Sequence, residues 1–328
     1  MLPDLFFWII LFIIGYIVIY YSADYIIDVL EDLIEMYTIS PLIVGLFILG
    51  IDLEESIVSL VAAIDNLPYL SLGNLIGNTI IAITIAFALP TFFLEFRFKR
   101  LPSFYYIILF VGALSVMIST FFPQFLIIFA ILNLIIFGLY GIYSAKIQSE
   151  FKGRINDSTN EKIQYNARND NVENEEEENK SKIIFLKIIF VIGTIFIAGE
   201  VLIISSVQIV FLTGLSESFF GLIIMAFVTN VEEFWLIVNS IKKGQTELGI
   251  SAQIGKIIWN IILIFGFCGL IIVQYDFKFI MMISSIFFVV IIGILIINLL
   301  NTNLSKQTGL ILSFIFFLFL VINFYNII

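Results

Sequence analysis

ISPLIVGLFILGIDLEESIVSL occupies residues 39–60, and LSESFFGLIIMAFVTNVEEFWLIV occupies 215–238. Each is apolar for about the 20 residues that a helix needs to cross a bilayer. Each also carries a pair of acids inside the apolar run, Glu54–Glu55 and Glu232–Glu233, and the pairs lie 178 residues apart. Further on, LGNLIGNTIIAI (72–83) corresponds to GISAQIGKIIWNI (249–261), and Gly77 and Gly255 are again 178 apart. The spacing from paired acids to glycine is therefore kept in two copies, the mark of an internal repeat.

Composition sets the environment of that repeat. Apolar residues make up 61% of the 328 residues and charged residues 13%, about half the usual share of a soluble domain. The chain reads as an integral membrane protein. It has no histidine, which removes His-ligated zinc and Ser-His-Asp or Cys-His catalysis. A single cysteine, Cys268, excludes an internal disulfide and a cysteine cluster. There is no nucleophile elbow or phosphate loop, so the chain does not read as an enzyme. A formal charge of −10 leaves no basic patch for nucleic acid. The partners to expect are membrane lipid and inorganic cations, with no resident cofactor and no obligate protein partner inferred.

The predicted fold class is an all-α membrane protein of about ten transmembrane helices in two inverted five-helix repeats. The spans read as 5–22, 41–64, 71–94, 104–122 and 124–143, then 183–203, 219–241, 247–273, 278–299 and 308–327. Residues 1–143 form the first repeat, 144–182 a linker and 183–328 the second. Five spans per half, an odd number, place the halves in opposite orientations, the architecture of many secondary transporters. The first span has no basic n-region before it, so it does not read as a cleaved signal peptide. With both termini outside, Arg97, Lys99, Arg100, the eight basic residues from Lys146 to Lys187, Lys242, Lys243 and Lys306 fall on the cytoplasmic side. That is 14 inside; Lys278 alone falls outside and Lys256 falls within a span. The positive-inside rule supports this orientation and a plasma (cytoplasmic) membrane location.

Two polar segments carry expectations of their own. Ile26, Ile27, Leu30, Leu33 and Ile34 share a helical face opposite Asp24, Asp28, Glu31, Asp32 and Glu35, which predicts an amphipathic interfacial helix between the first two spans. Residues 144–182 are rich in Asn and charge, including Glu175–Glu178, and read as a disordered cytoplasmic linker. They lack the alternating ligands and turn glycine of an EF-hand loop.

Asp52, Glu54 and Glu55 lie inside one apolar span, and Thr229, Asn230, Glu232 and Glu233 inside its counterpart. Burying such acids is costly, about 2.5–3.5 kcal/mol each on insertion scales. One reading places one Glu of each pair near a helix end, reaching water. The other is a cation site, because carboxylate and amide oxygens suit hard cations such as Na⁺ and Ca²⁺. Adjacent residues on a helix point about 100° apart, so one Glu of each pair is expected to ligate and the other to face elsewhere. Asn74, Gly77, Asn78 and Thr79 lie on the third span, and Ser251, Gln253, Gly255, Lys256 and Asn260 on the eighth. The glycines would let backbones approach closely; plain helix packing is the alternative use of these small and polar residues. Lys256 needs a partner inside the membrane, with the paired glutamates nearest, unless it snorkels to the cytoplasmic boundary.

At these residues the chain resembles the cation/calcium exchanger superfamily, of the sodium/calcium exchanger type. That family has ten helices in two inverted repeats, each with a signature G-x(5)-G-[TS]-[TS]-x-P-E followed by G-N-x-x-G-S-N. GLSESFFGLIIMAF (214–227) and TNVEE (229–233) run along the second signature, and IDLEE (51–55) along the end of the first. The resemblance puts Glu55 and Glu233 at the ligating glutamates, Thr229 at the threonine, and Asn230 and Asp52 at the serine positions. The departures are specific. Glu54 and Glu232 replace the signature prolines, and Asn78 and Lys256 stand at the two later serine positions. Ala82 and Asn260 stand where the family has Asn and Asp, and the first signature is two residues shorter than the second. The resemblance implies a secondary active cation antiporter with alternating access. Glu55 and Glu233 would be the ligands, Asp52, Thr229, Asn230 and Asn260 additional ones, and Lys256, Glu54 and Glu232 coupling or charge-compensating residues. Transported ions would be Ca²⁺ and/or Na⁺. Two other readings stay open: proton-coupled exchange through a Lys–Glu pair, and a non-transporting membrane protein that keeps the fold.

Overall fold

The computed structural model describes residues 2–37, 39–64, 66, 68–94, 96–160, 173–213, 230–272 and 276–325. Nearly all of them are helical. In chain order the helices are α1 (Leu2–Tyr37), α2 (Pro41–Val44), α3 (Leu53–Ile64), α4 (Pro68–Ile81), α5 (Ser103–Phe121), α6 (Leu126–Asn160), α7 (Glu173–Thr213), α8 (Val231–Lys242), α9 (Thr246–Ile258), α10 (Phe265–Ile271), α11 (Phe279–Leu300) and α12 (Lys306–Tyr325). A short ladder, β1 (Phe96–Arg97) with β2 (Asn303–Leu304), ties two loops together. Among the described residues, six helical stretches are long and apolar enough to cross a membrane: Asp4–Ile34, Ser71–Phe92, Ser103–Phe121, Pro123–Lys152, Thr246–Ile271 and Phe279–Leu300. Lys306–Ile322 is a shorter apolar helix.

Three expectations need correction. The amphipathic helix at 24–36 is not a separate interfacial element. It is the last third of α1, and its apolar residues Ile26, Ile27, Val29 and Leu30 are buried in a cluster with Ile184, Ile188 and Leu236. No proline or glycine intervenes after Gly15 to stop the helix, so a buried apolar face extends it. The linker is not disordered over 144–160 and 173–182, which belong to α6 and α7. Lys, Gln, Glu, Ala and Arg in 145–154 are good helix formers, and the glutamates that open α7 stand at the positive end of its dipole. Residues 161–172 lie outside the described residues. The third correction concerns the span 41–64, which is not one helix. It is α2, a π-helical turn at Gly45–Leu49, a non-helical stretch through Gly50, Ile51 and Asp52, and then α3. Residues 219–229 of the seventh expected span lie outside the described residues, and α8 begins at Val231.

Two further irregularities match. α4 runs into a π-helical stretch at Ala82–Phe87, and α9 into one at Trp259–Ile264. Both stretches follow the polar residues singled out from sequence. They belong to a core formed by α4, α5, α9, α10 and α11, in which Phe87, Tyr105, Phe265 and Phe288 are fully buried. α1 and α7 pack along each other outside this core. Their outer faces present Phe7, Ile13, Ile17, Phe185, Ile189 and Phe190, the apolar surface expected toward lipid.

Contacts between loops define which chain ends lie together. Tyr69 donates its hydroxyl to the Asp276 carbonyl at 3.3 Å, and Lys278 sits 3.4 Å above the Tyr69 ring centre. Elsewhere, β1 pairs with β2, Lys243 bonds Asp24 and Asp28, and the Ser40 N–H donates to Gln148 at 2.9 Å.

Candidate functional site

The break in the first half begins α3 inside the protein, and the local sequence explains how. Asp52 is the N-cap of α3: its Oδ1 accepts the Glu55 N–H at 3.3 Å and its carbonyl accepts the Ser56 N–H at 3.2 Å. Asp followed three residues later by Glu is the pattern of a capping box. In the second half Asn230 stands at the same position before α8, with Glu232 and Glu233 in its first turn. The acids are thus at helix starts, where the helix dipole favours negative charge. They nevertheless do not reach bulk water, as Glu55 is 8% exposed and Glu233 4%. The sequence leaves open whether these acids lie at helix ends or inside the protein; Glu55 and Glu233 do both, sitting at helix starts that are buried. Glu232 is only partly buried. The Glu54 side chain and Thr229 lie outside the described residues.

α9 approaches this break through glycine. A Cβ on Gly255 would stand 2.8 Å from the Leu46 Cα and 3.0 Å from the Gly50 Cα, so side chains are excluded where α9 crosses the π turn. Gly77, its counterpart in the repeat, has nothing within 4 Å of a Cβ; the close approach expected there is absent.

That crossing places Lys256 against acids from both halves. Its Nζ lies 3.2 Å from Asp52 Oδ2 and forms an ion pair with Glu233 Oε1. The lysine is 6% exposed and does not snorkel. Asp52 Oδ2 also accepts from Asn260 at 2.9 Å and from Asn78 at 3.4 Å, and Asn78 Oδ1 accepts from Asn230 at 2.9 Å. Asp52, Asn78, Asn230, Glu233, Lys256 and Asn260 therefore form one connected buried network. Glu55 is held beside it by Asn74, whose Nδ2 donates to Glu55 Oε2 at 2.7 Å and to Ser59 Oγ at 3.0 Å.

The network is rich in acceptors that lack donors. Among the described residues, Glu233 Oε2, Asn260 Oδ1 and Gln253 Oε1 are buried without a hydrogen-bond partner. Buried polar atoms are ordinarily satisfied, and lone oxygens of this kind are the donor set of a hard cation. A protonated amine offers three donors and no acceptor, so Lys256 satisfies carboxylates without itself ligating metal.

Two supports of the site were not read from sequence. Trp259 donates its indole N–H to Ser56 Oγ at 2.8 Å, and Ser56 in turn donates to the Asp52 carbonyl. Asn133 on α6 donates to the Ile261 carbonyl at 3.1 Å, within the second π stretch. Both signals were present as polar groups in apolar spans, but a lone Trp or Asn does not name its partner.

Comparison with known proteins identifies the family and the fold. The sequence profile of the family described as "Sodium/calcium exchanger protein" matches residues 7–146 and 183–325. The inner membrane protein YrbG of Escherichia coli (strain K12) is 24% identical over 272 residues, covering 80% of this chain and 79% of that protein. Structures of the sodium-calcium exchanger NCX_Mj superpose over nearly the whole chain. One, soaked with Na⁺ and Sr²⁺, gives a TM-score of 0.76 at 17% identity, covering 96% of this chain and 97% of that one. Another, soaked with Na⁺ and Ca²⁺, gives 0.73 at 16%, covering 96% and 98%. The fold is the all-α membrane fold of that exchanger, and the chain belongs to the sodium/calcium exchanger family.

Proposed function

We propose that this chain is a secondary active antiporter that exchanges inorganic cations by alternating access. Glu55 and Glu233 ligate the ion, with oxygens from Asp52, Thr229, Asn230 and Asn260 in support. Lys256, Glu54 and Glu232 set the charge balance. The observation that carries this reading is a buried set of carboxylate and amide oxygens, drawn from both halves of the sequence, where a broken helix crosses α9. Sodium and calcium are the first ions to test, because the NCX_Mj structures were soaked with Na⁺, Ca²⁺ and Sr²⁺.

The architecture we propose is ten spans in two inverted repeats, with both termini outside and 144–182 cytoplasmic. The loop contacts support it. Under that alternation, 24 and 28 with 243, 31 with 245, 40 with 148, and 96–97 with 303–304 each fall together inside, and 69 with 276 and 278 falls outside. α1 and α7, packed on each other and exposed to lipid, are the elements that would move to open the site to each side in turn.

The Lys256–Glu233 pair favours one second reading, proton-coupled exchange. Purified protein in vesicles separates the two: labelled calcium and sodium are followed with a sodium, calcium or pH gradient imposed alone. Uptake driven by an opposing sodium or calcium gradient is the expected result. Uptake that only a pH gradient drives selects the second reading, and no movement under any gradient rejects transport.

A further inference from the structure

We infer that Asn133, on α6, is a positioning residue of the cation site: it holds open the π register of Trp259–Ile264 and thereby aims Asn260 at Asp52. The inference rests on the antiporter reading above and adds a residue outside the site that sets its ion affinity.

The backbone of the stretch shows what Asn133 replaces. In an α-helix the Phe265 N–H would bond the carbonyl four residues back, that of Ile261. Here it reaches the carbonyls of Asn260 and Ile262. The Ile261 carbonyl between them accepts from Asn133 Nδ2 at 3.1 Å. A buried carbonyl needs a donor, so the amide stands in for the backbone bond that the π register gives up. Asn133 is fully buried, and its Oδ1 accepts from Ser115 Oγ on α5 at 2.8 Å. That second bond fixes which end of the amide faces Ile261. Close packing holds α5 and α6 against this part of the chain. A Cβ on Gly112 of α5 would stand 3.0 Å from Ile262 Cγ1, and one on Gly266 of α10 would stand 3.1 Å from the Ala130 carbonyl of α6.

The register matters because two adjacent residues of the stretch grip one helix start. Trp259 donates to Ser56 Oγ at 2.8 Å, and Asn260 donates to Asp52 Oδ2 at 2.9 Å. Asp52 and Ser56 are one turn apart at the start of α3. Closing the stretch into an α register would shift the phase of the preceding residues against α10 by about one residue, roughly 100°. Asn260 would then leave Asp52. Its Oδ1, buried and without a hydrogen-bond partner among the described residues, would no longer be offered to an ion beside that acid.

The test uses full-length protein, in detergent for binding of labelled calcium and in vesicles for calcium and sodium flux. Asn133→Leu keeps the bulk and removes the amide. It should weaken calcium affinity by about 10-fold or more, the range seen when a supporting partner is lost at metal sites, while maximal flux at saturating ion is kept. In an Asn260→Ala background the same substitution should weaken affinity no further, because Asn133 acts through Asn260. Thr120→Val breaks an equally buried hydroxyl pair with Ser285, 2.7 Å apart, and should leave affinity unchanged. If Asn133→Leu is not recovered folded, Asn133→Ala adds no bulk and is read in the same way. Unchanged affinity in the Asn133 variant, the same fold-loss with and without Asn260, or an equal loss in Thr120→Val overturns the inference and leaves the antiporter reading standing. Wild-type protein that neither binds nor exchanges either ion overturns the antiporter reading, and the inference with it.

Discussion

Gly50 and Gly255 meet backbone to backbone: a Cβ on Gly50 would lie 2.7 Å from the Gly255 Cα. No side chain fits between them, and the contact fixes how deep α9 sits against the broken helix, hence where Lys256 points. Gly255→Ala should therefore overpack the crossing and cost about 1–3 kcal/mol, visible as a lower unfolding temperature in detergent. Gly77→Ala meets nothing within 4 Å and should be neutral or gain up to about 1 kcal/mol of helix propensity. Equal destabilisation by both would show that the crossing does not set the packing.

The two glycines show what could be read from sequence. Their 178-residue offset marks them as corresponding positions in the sequence, but not which of them carries a close approach, since that depends on what crosses each helix. The paired acids announced a buried charged site by their cost in an apolar span. Their position at helix starts was legible only as a pattern, Asp52 to Glu55, that has other uses. Lys256 demanded an acidic partner, and burial alone narrowed it to the glutamates; Asp52 as a second partner required the fold. The ends of α1, α6 and α7 were misjudged because polar residues were taken to end helices that nothing in the sequence stops.

Lys243 tests the attachment of α1 to the helices that bear the site. Burial pulls its ammonium down, but hydrogen bonds and charge from Asp24 and Asp28 outweigh that and leave its pKa above the ordinary 10.5. The distances are 2.8 Å to each carboxylate, with both acids well exposed. A raised lysine pKa stabilises fully below the unfolded value and is lost as pH rises through the folded one. The contribution should thus be constant from pH 7 to 9, begin to fall above about 10.5 and vanish only once pH has passed the raised folded value. Lys243→Met should cost about 0–1 kcal/mol, less at high salt. A cost that grows with salt would rule out an ionic origin.

The side of the membrane on which each loop lies can be read by labelling. Cysteines at Lys99 and Lys306 flank the β1–β2 ladder and should behave alike, reacting with an impermeant thiol reagent only after the membrane is opened. A cysteine at Lys278, beside Tyr69, should react in intact cells. Native Cys268 is buried and contributes little background. Opposite behaviour at Lys99 and Lys306 would contradict the ladder, and joint labelling from outside would invert the orientation.

Asn74 orients Glu55, so its loss should differ in kind from loss of the acid. Asn74→Ala leaves the carboxylate in place but unsteered. It should weaken cation affinity by about 10–100-fold, as removal of a supporting partner does at metal sites, while maximal flux survives at saturating ion. Glu55→Gln and Glu233→Gln should abolish flux. Glu150→Gln, on the exposed end of α6, should leave flux unchanged. Flux curves for Asn74→Ala that match those of Glu55→Gln at every ion concentration would make Asn74 more than a support.

The Lys256–Glu233 pair should show strong coupling in a double-mutant cycle. Removing one member of a buried ion pair strands the other, at about 3–5 kcal/mol, whereas replacing both with apolar side chains of similar size is often close to neutral. Lys256→Met strands Glu233 and also Asp52, which then keeps its neutral donors, Asn78, Asn260 and the Glu55 N–H, but no cation among its described partners. Glu233→Met leaves Lys256 paired with Asp52 at 3.2 Å and should be the milder single change. The double variant should be clearly more stable than the sum of the two losses implies, measured by thermal or denaturant unfolding in detergent, while transporting nothing. Simple additivity of the two single effects would mean that the lysine and the glutamate do not act on each other in the folded protein.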